Sequence, residues 1–123
     1  MQSCFNAHSE SAESYGILSG VVKAFNESDY RKLTRQSDEL IGLTFENEAR
    51  HYSKTQARFA LQDFFKKNPA MNFEIVHSSE KEPSMKYIIG HYSSHTGEYR
   101  ISIRMRENEG KYQINMIKFR KNS

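Results

Sequence analysis

Residues 53–69 read SKTQARFALQDFFKKNP, and this stretch carries both ends of a helix. Ser53 and Gln56 stand in capping-box spacing, so the serine hydroxyl can accept from the third helical N–H while the glutamine reaches back to the cap's own N–H. Ala57, Leu61, Phe64 and Phe65, with Ala60 between, then fall on one face at helical period. Lys66 and Lys67 meet the negative end of the helix dipole, Asn68 suits a left-handed turn, and Pro69 forbids continuation. A helix that carries two adjacent phenylalanines on its apolar face needs a broad apolar surface to cover it.

That surface is written after Pro69, where the period changes from 3.6 to 2. Phe73, Ile75 and His77 share one face of an extended segment; Tyr87, Ile89 and His91 share one face of the next; Tyr99, Ile101, Ile103 and Met105 share one face of a third. The last segment, Lys111 to Arg120, puts Tyr112 and Ile114 on one parity but Ile117 and Phe119 on the other, so a bulge near Asn115-Met116 is expected. Turns over Ser78–Ser84, Ser94–Gly97 and Asn108-Glu109-Gly110 join the four segments as a meander.

Upstream of Ser53, Ile17, Leu18, Val21, Val22 and Phe25 lay an apolar stripe along a helix from about Ser11, weakened by Gly16 and Gly20. Asn26-Glu27-Ser28-Asp29 can stop that helix and cap a short second one, Tyr30 to about Gln36, with Leu33 as its anchor. Ile41, Leu43 and Phe45 then alternate with polar neighbours as a half-buried strand, and Asn47–Tyr52 turns the chain with room for a brief further strand. Residues 1–10 are expected as a flexible tail and 11–123 as a single domain. The fold class is α+β, with N-terminal helices and one long helix packed in a curved antiparallel sheet as a cone-like barrel.

Composition narrows the function classes. One core suffices for 123 residues, which at this size bury roughly two-thirds of the unfolded surface. Cys4, the lone cysteine, excludes an internal disulfide and a cysteine-rich zinc module. No apolar run approaches the ~20 residues of a membrane span, so no transmembrane segment is expected. The net charge of +3 is uneven: residues 1–60 hold 7 Lys/Arg against 8 Asp/Glu, and residues 61–123 hold 11 against 7. Arg100, Arg104 and Arg106 punctuate a strand without forming a stripe interleaved with aromatics, so no nucleic-acid partner is expected.

The order of elements resembles the nuclear-transport-factor-two-like, or cystatin-like, fold, a cone in which a strongly curved antiparallel sheet wraps a long helix. Tyr52-Ser53-Lys54, Gln56-Ala57, Leu61, Asp63-Phe64-Phe65 and Lys67-Asn68-Pro69 resemble a family of small exported bacterial domains of unassigned function. So do Phe73 with His77, Tyr87 with Ile89-Gly90, and Gly97 with Tyr99-Arg100-Ile101. The similarity runs from about Ile17 to Phe119. It implies export to the periplasm or cell envelope, with the secretion signal removed from this chain, and Cys4 is then expected as a free thiol. The family brings no catalytic residues with it.

The chemistry-bearing stretch is residues 90–100, GHYSSHTGEYR. A three-residue loop, His95-Thr96-Gly97, would pair Ser94 with Glu98, His91 with Ile101 and Ile89 with Ile103, gathering the odd-numbered apolar positions on one face. A two-residue loop would instead set Tyr92 beside Tyr99 or Ile101, mixing the faces less favourably. On a strand, His91 and His95 stand ~13 Å apart, so no metal site is expected there, and no phosphate loop or cofactor motif is present. With odd parity inward, His77, Tyr87, His91, Tyr99 and Tyr112 line one cavity as the candidate ligand-binding residues.

Three readings follow. The first is non-catalytic binding of a small apolar or amphipathic ligand, or of a protein partner, through the concave sheet. The second is an isomerase- or dehydratase-like enzyme using His91 or His77 as base with Tyr87 or Tyr99 as donor; it lacks an inward carboxylate, since Glu74 and Glu98 fall on the opposite parity and Asp63 lies beside its helix's buried stripe. The third is a homodimer through the exposed sheet face, with Ile88, Tyr92 and Val76 at the contact.

Overall fold

The helix over SKTQARFALQDFFKKNP forms as its ends dictate. In a computed structural model, which describes residues 5–82 and 84–122 and the side chains of 16–81 and 84–122, it spans Lys54–Lys67 and both halves of the Ser53–Gln56 capping box are made. Ala57, Leu61, Phe64 and Phe65 are its buried residues. The C-terminus differs in detail: Asn68 has φ −133° and ψ 70° rather than left-handed angles, and its N–H donates to the Phe64 carbonyl at 2.8 Å.

The elements run α1 (Phe5–Asn26), α2 (Tyr30–Arg35), β1 (Ser37–Phe45), β2 (Glu48–Ser53), α3 (Lys54–Lys67), β3 (Ala70–Glu82), β4 (Met85–Ser94), β5 (Gly97–Asn108) and β6 (Lys111–Lys121). α1 therefore starts before the expected Ser11. Cys4 and the first residues of the expected tail lie outside the described residues. Asp29 caps α2 by accepting from the Lys32 N–H at 3.0 Å, and Leu33 is fully buried. Asn26 does more than stop α1: its side-chain amide accepts from the Phe73 N–H at 2.9 Å and donates to the Phe73 carbonyl at 3.0 Å, tying the helix end to β3.

The six strands form one open sheet in the order β2-β1-β6-β5-β4-β3. It is mixed rather than wholly antiparallel, because β1 returns alongside β6 in parallel. Two turns use positive φ at both central residues, Glu46-Asn47 and Glu109-Gly110, the geometry whose twist suits two-residue hairpins. β3 runs through Glu82, so the turn expected over Ser78–Ser84 is much shorter. The expected bulge in β6 is present: Arg104 pairs with Met116 and Met105 with Ile114, leaving Asn115 as the extra residue. It brings Ile114, Ile117 and Phe119 all inward.

β4 departs from expectation. Ser94 pairs with Gly97, Tyr92 with Tyr99, Gly90 with Ile101 and Ile88 with Ile103, the register of the two-residue loop. A one-residue slip sends every side chain to the other face, so Ile88, Gly90, Tyr92 and Ser94 point inward. The physical reason lies in Phe73, whose ring sits over Gly90: a Cβ at Gly90 would meet that ring at 2.3 Å. Tyr92 fills the space beside it, within 6.1 Å of the Phe25 and Phe65 ring centroids. Around them Phe25, Phe64, Phe65, Phe73, Tyr99 and Phe119 form one buried aromatic cluster, which fills the inside of the cone.

Candidate functional site

With the cone's interior occupied by rings, the concavity floored by those rings is at its mouth. There α3 leaves a gap against the β1–β2 hairpin and the ends of β5 and β6. The groove is about 440 Å³, with Phe45, Tyr52, Ala60, Phe64, Tyr99 and Phe119 among its lining residues. Phe119 stacks on Phe45 at 4.8 Å and lies 4.4 Å from Phe64, centroid to centroid, which makes a continuous aromatic floor.

The rim is polar and weighted toward negative charge. Glu46, Glu48, Asp63 and Lys67 line it. Lys67 is held by Asp63 one helical turn earlier at 3.1 Å, and Arg50 reaches Glu48 at 3.4 Å. Asp63 is thus an exposed ion-pair partner, not an inward acid. Burial raises the pKa of Tyr99, with the Glu46 carboxylate adding to the shift.

Asn68 organises the floor. Its side-chain oxygen accepts from the Tyr99 hydroxyl at 3.0 Å and from the Thr96 hydroxyl, while its side-chain nitrogen donates to the Phe64 carbonyl at 3.1 Å. The Asn68 backbone carbonyl accepts from the Tyr92 hydroxyl at 2.6 Å. One residue therefore ties the end of α3 to the β4–β5 hairpin and satisfies the two buried tyrosines. The sequence marks Asn68 as a helix stop; its part in the mouth became visible only when Tyr92 turned inward.

The five residues expected around one cavity are not together. Tyr99 is at the mouth, 6% exposed. Tyr112 is on the same inner parity at the opposite end of the sheet, where it faces Glu107 of β5, eight residues or roughly 26 Å of strand from Tyr99. Its hydroxyl approaches Glu80 at 3.5 Å, and the Lys86 ammonium lies 5.8 Å from its ring centroid. Tyr87, His91 and His77 are on the outer face. The register of β4 turns out the first two, and a bulge between Ile75 and His77 turns out the third. His77 and His91 do share a shallow outer concavity with Glu74 and Arg100, where His91 contacts Glu98 at 3.2 Å. The sheet thus separates both histidines from Tyr99, and they cannot act with it on one substrate. The expected dimer contact changes too, because Ile88 and Tyr92 are 1% and 0% exposed, leaving only Val76 outside. Among the described residues, no three His, Cys, Asp or Glu side chains are grouped as metal ligands, and no helix is long and apolar enough to cross a membrane.

A family model described as a domain of unknown function, DUF4783, matches residues 18–120. The chain belongs to that family. Solved DUF4783 proteins show how closely the fold is shared. One from Bacteroides uniformis ATCC 8492 is 24% identical with a TM-score of 0.81, covering 85% of this chain and 96% of that one. Another, from Bacteroides fragilis YCH46, is 29% identical with a TM-score of 0.80, covering 84% and 96%. A nuclear-transport-factor-two-like protein of unknown function from Silicibacter pomeroyi DSS-3 is 14% identical with a TM-score of 0.67, covering 94% and 98%. No curated protein matches. This DUF4783 domain therefore has the nuclear-transport-factor-two-like architecture expected from its sequence.

Proposed function

We propose that this DUF4783 chain is a non-catalytic binding domain of the cell envelope, whose mouth groove takes an amphipathic molecule with an apolar body and a cationic end. The observation that carries this reading is the pairing of an aromatic floor with an acid-weighted rim. Phe45, Phe64 and Phe119 offer apolar surface, while of the rim acids Glu48 and Asp63 are paired with Arg50 and Lys67, leaving Glu46 as the acid without an ion-pair partner among the described residues. The volume lies within the range of about 300–1,000 Å³ common for small-molecule sites, and the groove's open side lets a long tail or a peptide backbone leave the site.

The test uses dodecyltrimethylammonium and dodecyl sulfate as probes below their micelle concentrations, followed by amide chemical shifts. The cationic probe is expected to move the amides of Phe45, Tyr52 and Phe64 at lower concentration than the anionic one. Ala60→Phe, which places a ring in the groove from a half-buried position of α3, is expected to abolish that response. Equal response to both probes, or a response that survives Ala60→Phe, would overturn the reading.

A further inference from the structure

The outer face carries an arrangement that folding does not account for. Arg100 on β5 and Arg120 on β6 are direct cross-strand partners, and two residues along Ser102 faces Lys118. Like charges directly opposite one another destabilise a sheet. The three cations are exposed, and among the described residues none has an ion-pair partner. Glu98, the nearest acid along β5, turns instead to His91. Arg104, next on the same face, differs from the other three in being held by the Asn115 side chain at 2.9 Å.

Arg100, Ser102, Lys118 and Arg120 together line a concavity of about 240 Å³. Neighbouring strands stand ~4.8 Å apart, so two guanidinium forks on paired positions can converge on one tetrahedral anion. Each fork offers two parallel N–H donors, the lysine adds a point charge, and the Ser102 hydroxyl adds a neutral donor. We infer that these four residues form a binding site for a phosphate-class dianion, carried either by a free phosphomonoester or by a lipid headgroup. A bound dianion relieves the cross-strand repulsion between Arg100 and Arg120. The same cations oppose a symmetric dimer whose two-fold axis passes through this patch, because that axis would set the patch against its own copy.

The test is a titration of the full chain with inorganic phosphate at low ionic strength, against sodium chloride of matched ionic strength, read at the backbone amides of Ser102 and Lys118. Phosphate is expected to shift these amides saturably and chloride is not. The double variant Arg100→Gln/Arg120→Gln is expected to bind about tenfold more weakly or worse, since each guanidinium supplies charge-assisted hydrogen bonds. Vesicles containing phosphatidic acid form the second arm. Sedimentation with them that the double variant loses assigns the phosphate to a headgroup, and phosphate binding without vesicle binding assigns it to a free ligand. Equal shifts from phosphate and chloride, or full binding by the double variant, would overturn the inference. Thermal unfolding of the double variant checks that it remains folded.

Discussion

The two faces of the β4–β5 ladder treat their polar groups in opposite ways. Inside, the hydroxyls of Tyr92, Tyr99 and Ser94 find partners at 2.6, 3.0 and 2.7 Å, and the aromatic rings interlock around Phe25. Outside, where the ladder continues into β6, Arg100 stands opposite Arg120, and among the described residues neither has an ion-pair partner. Buried polar groups left unpaired are costly, so the inner face had to be resolved for the chain to fold. Solvent screens the outer charges, so their arrangement is free to serve a ligand.

The strongest way to break this contrast is through Gly90. A methyl group there collides with the Phe73 ring at 2.3 Å, and Phe73 cannot retreat because it is 2% exposed and stacked on Phe25 at 4.6 Å. Gly90→Ala is expected to cost about 3 kcal/mol, the upper end of ordinary overpacking. Adding Phe73→Leu should cost less than the sum of the two single changes, because the smaller side chain frees the space. Urea unfolding of the four proteins in the cycle measures this, and simple additivity would mean that the ring does not rest on the glycine.

A smaller effect tests the buried hydroxyls. Burial pushes the Tyr92 phenol up to about 12, while the unfolded chain releases the same proton near 10. The stabilisation is complete below about pH 10 and is lost as pH rises toward about 12, amounting to about 2–3 kcal/mol. Urea midpoints between pH 8 and 11 should show the decline. Tyr92→Phe should be about 1–2 kcal/mol less stable at pH 8, since the Asn68 carbonyl loses its donor, yet its alkaline slope should be shallower. Tyr99, raised for the same reason, leaves a residual slope.

The smallest expected change sharpens the contrast from the other side. Arg120→Glu places an acid opposite Arg100, and an opposite-charge cross-strand pair contributes roughly 0.2–1 kcal/mol. Thermal unfolding should therefore show an unchanged or slightly raised midpoint while phosphate binding disappears. A clear loss of stability would mean that the outer band supports the fold.

Much of the architecture was legible in local residue chemistry. The Ser53–Gln56 box, the lysines and Pro69 bound α3; Asp29 caps α2; the change of parity between Ile114 and Ile117 marks the β6 bulge. These features were readable because each is decided within a few residues. Of the five candidate residues, Tyr99 and Tyr112 lie on the inner parity, at opposite ends of the sheet, whereas His77, Tyr87 and His91 lie on the outer face, because bulges and registers depend on partners far along the chain.

By itself the sequence determined the helices, the extended segments and their order, through spacing, caps and turn residues. Only the tertiary structure decided which side of β4 faces inward. Tyr87-Ile88-Ile89 is apolar on both parities, so hydrophobic pattern cannot choose between them. The choice falls to shape: Phe73 needs the missing side chain of Gly90 beneath its ring, and Tyr92 reaches the Asn68 carbonyl only from the inner face.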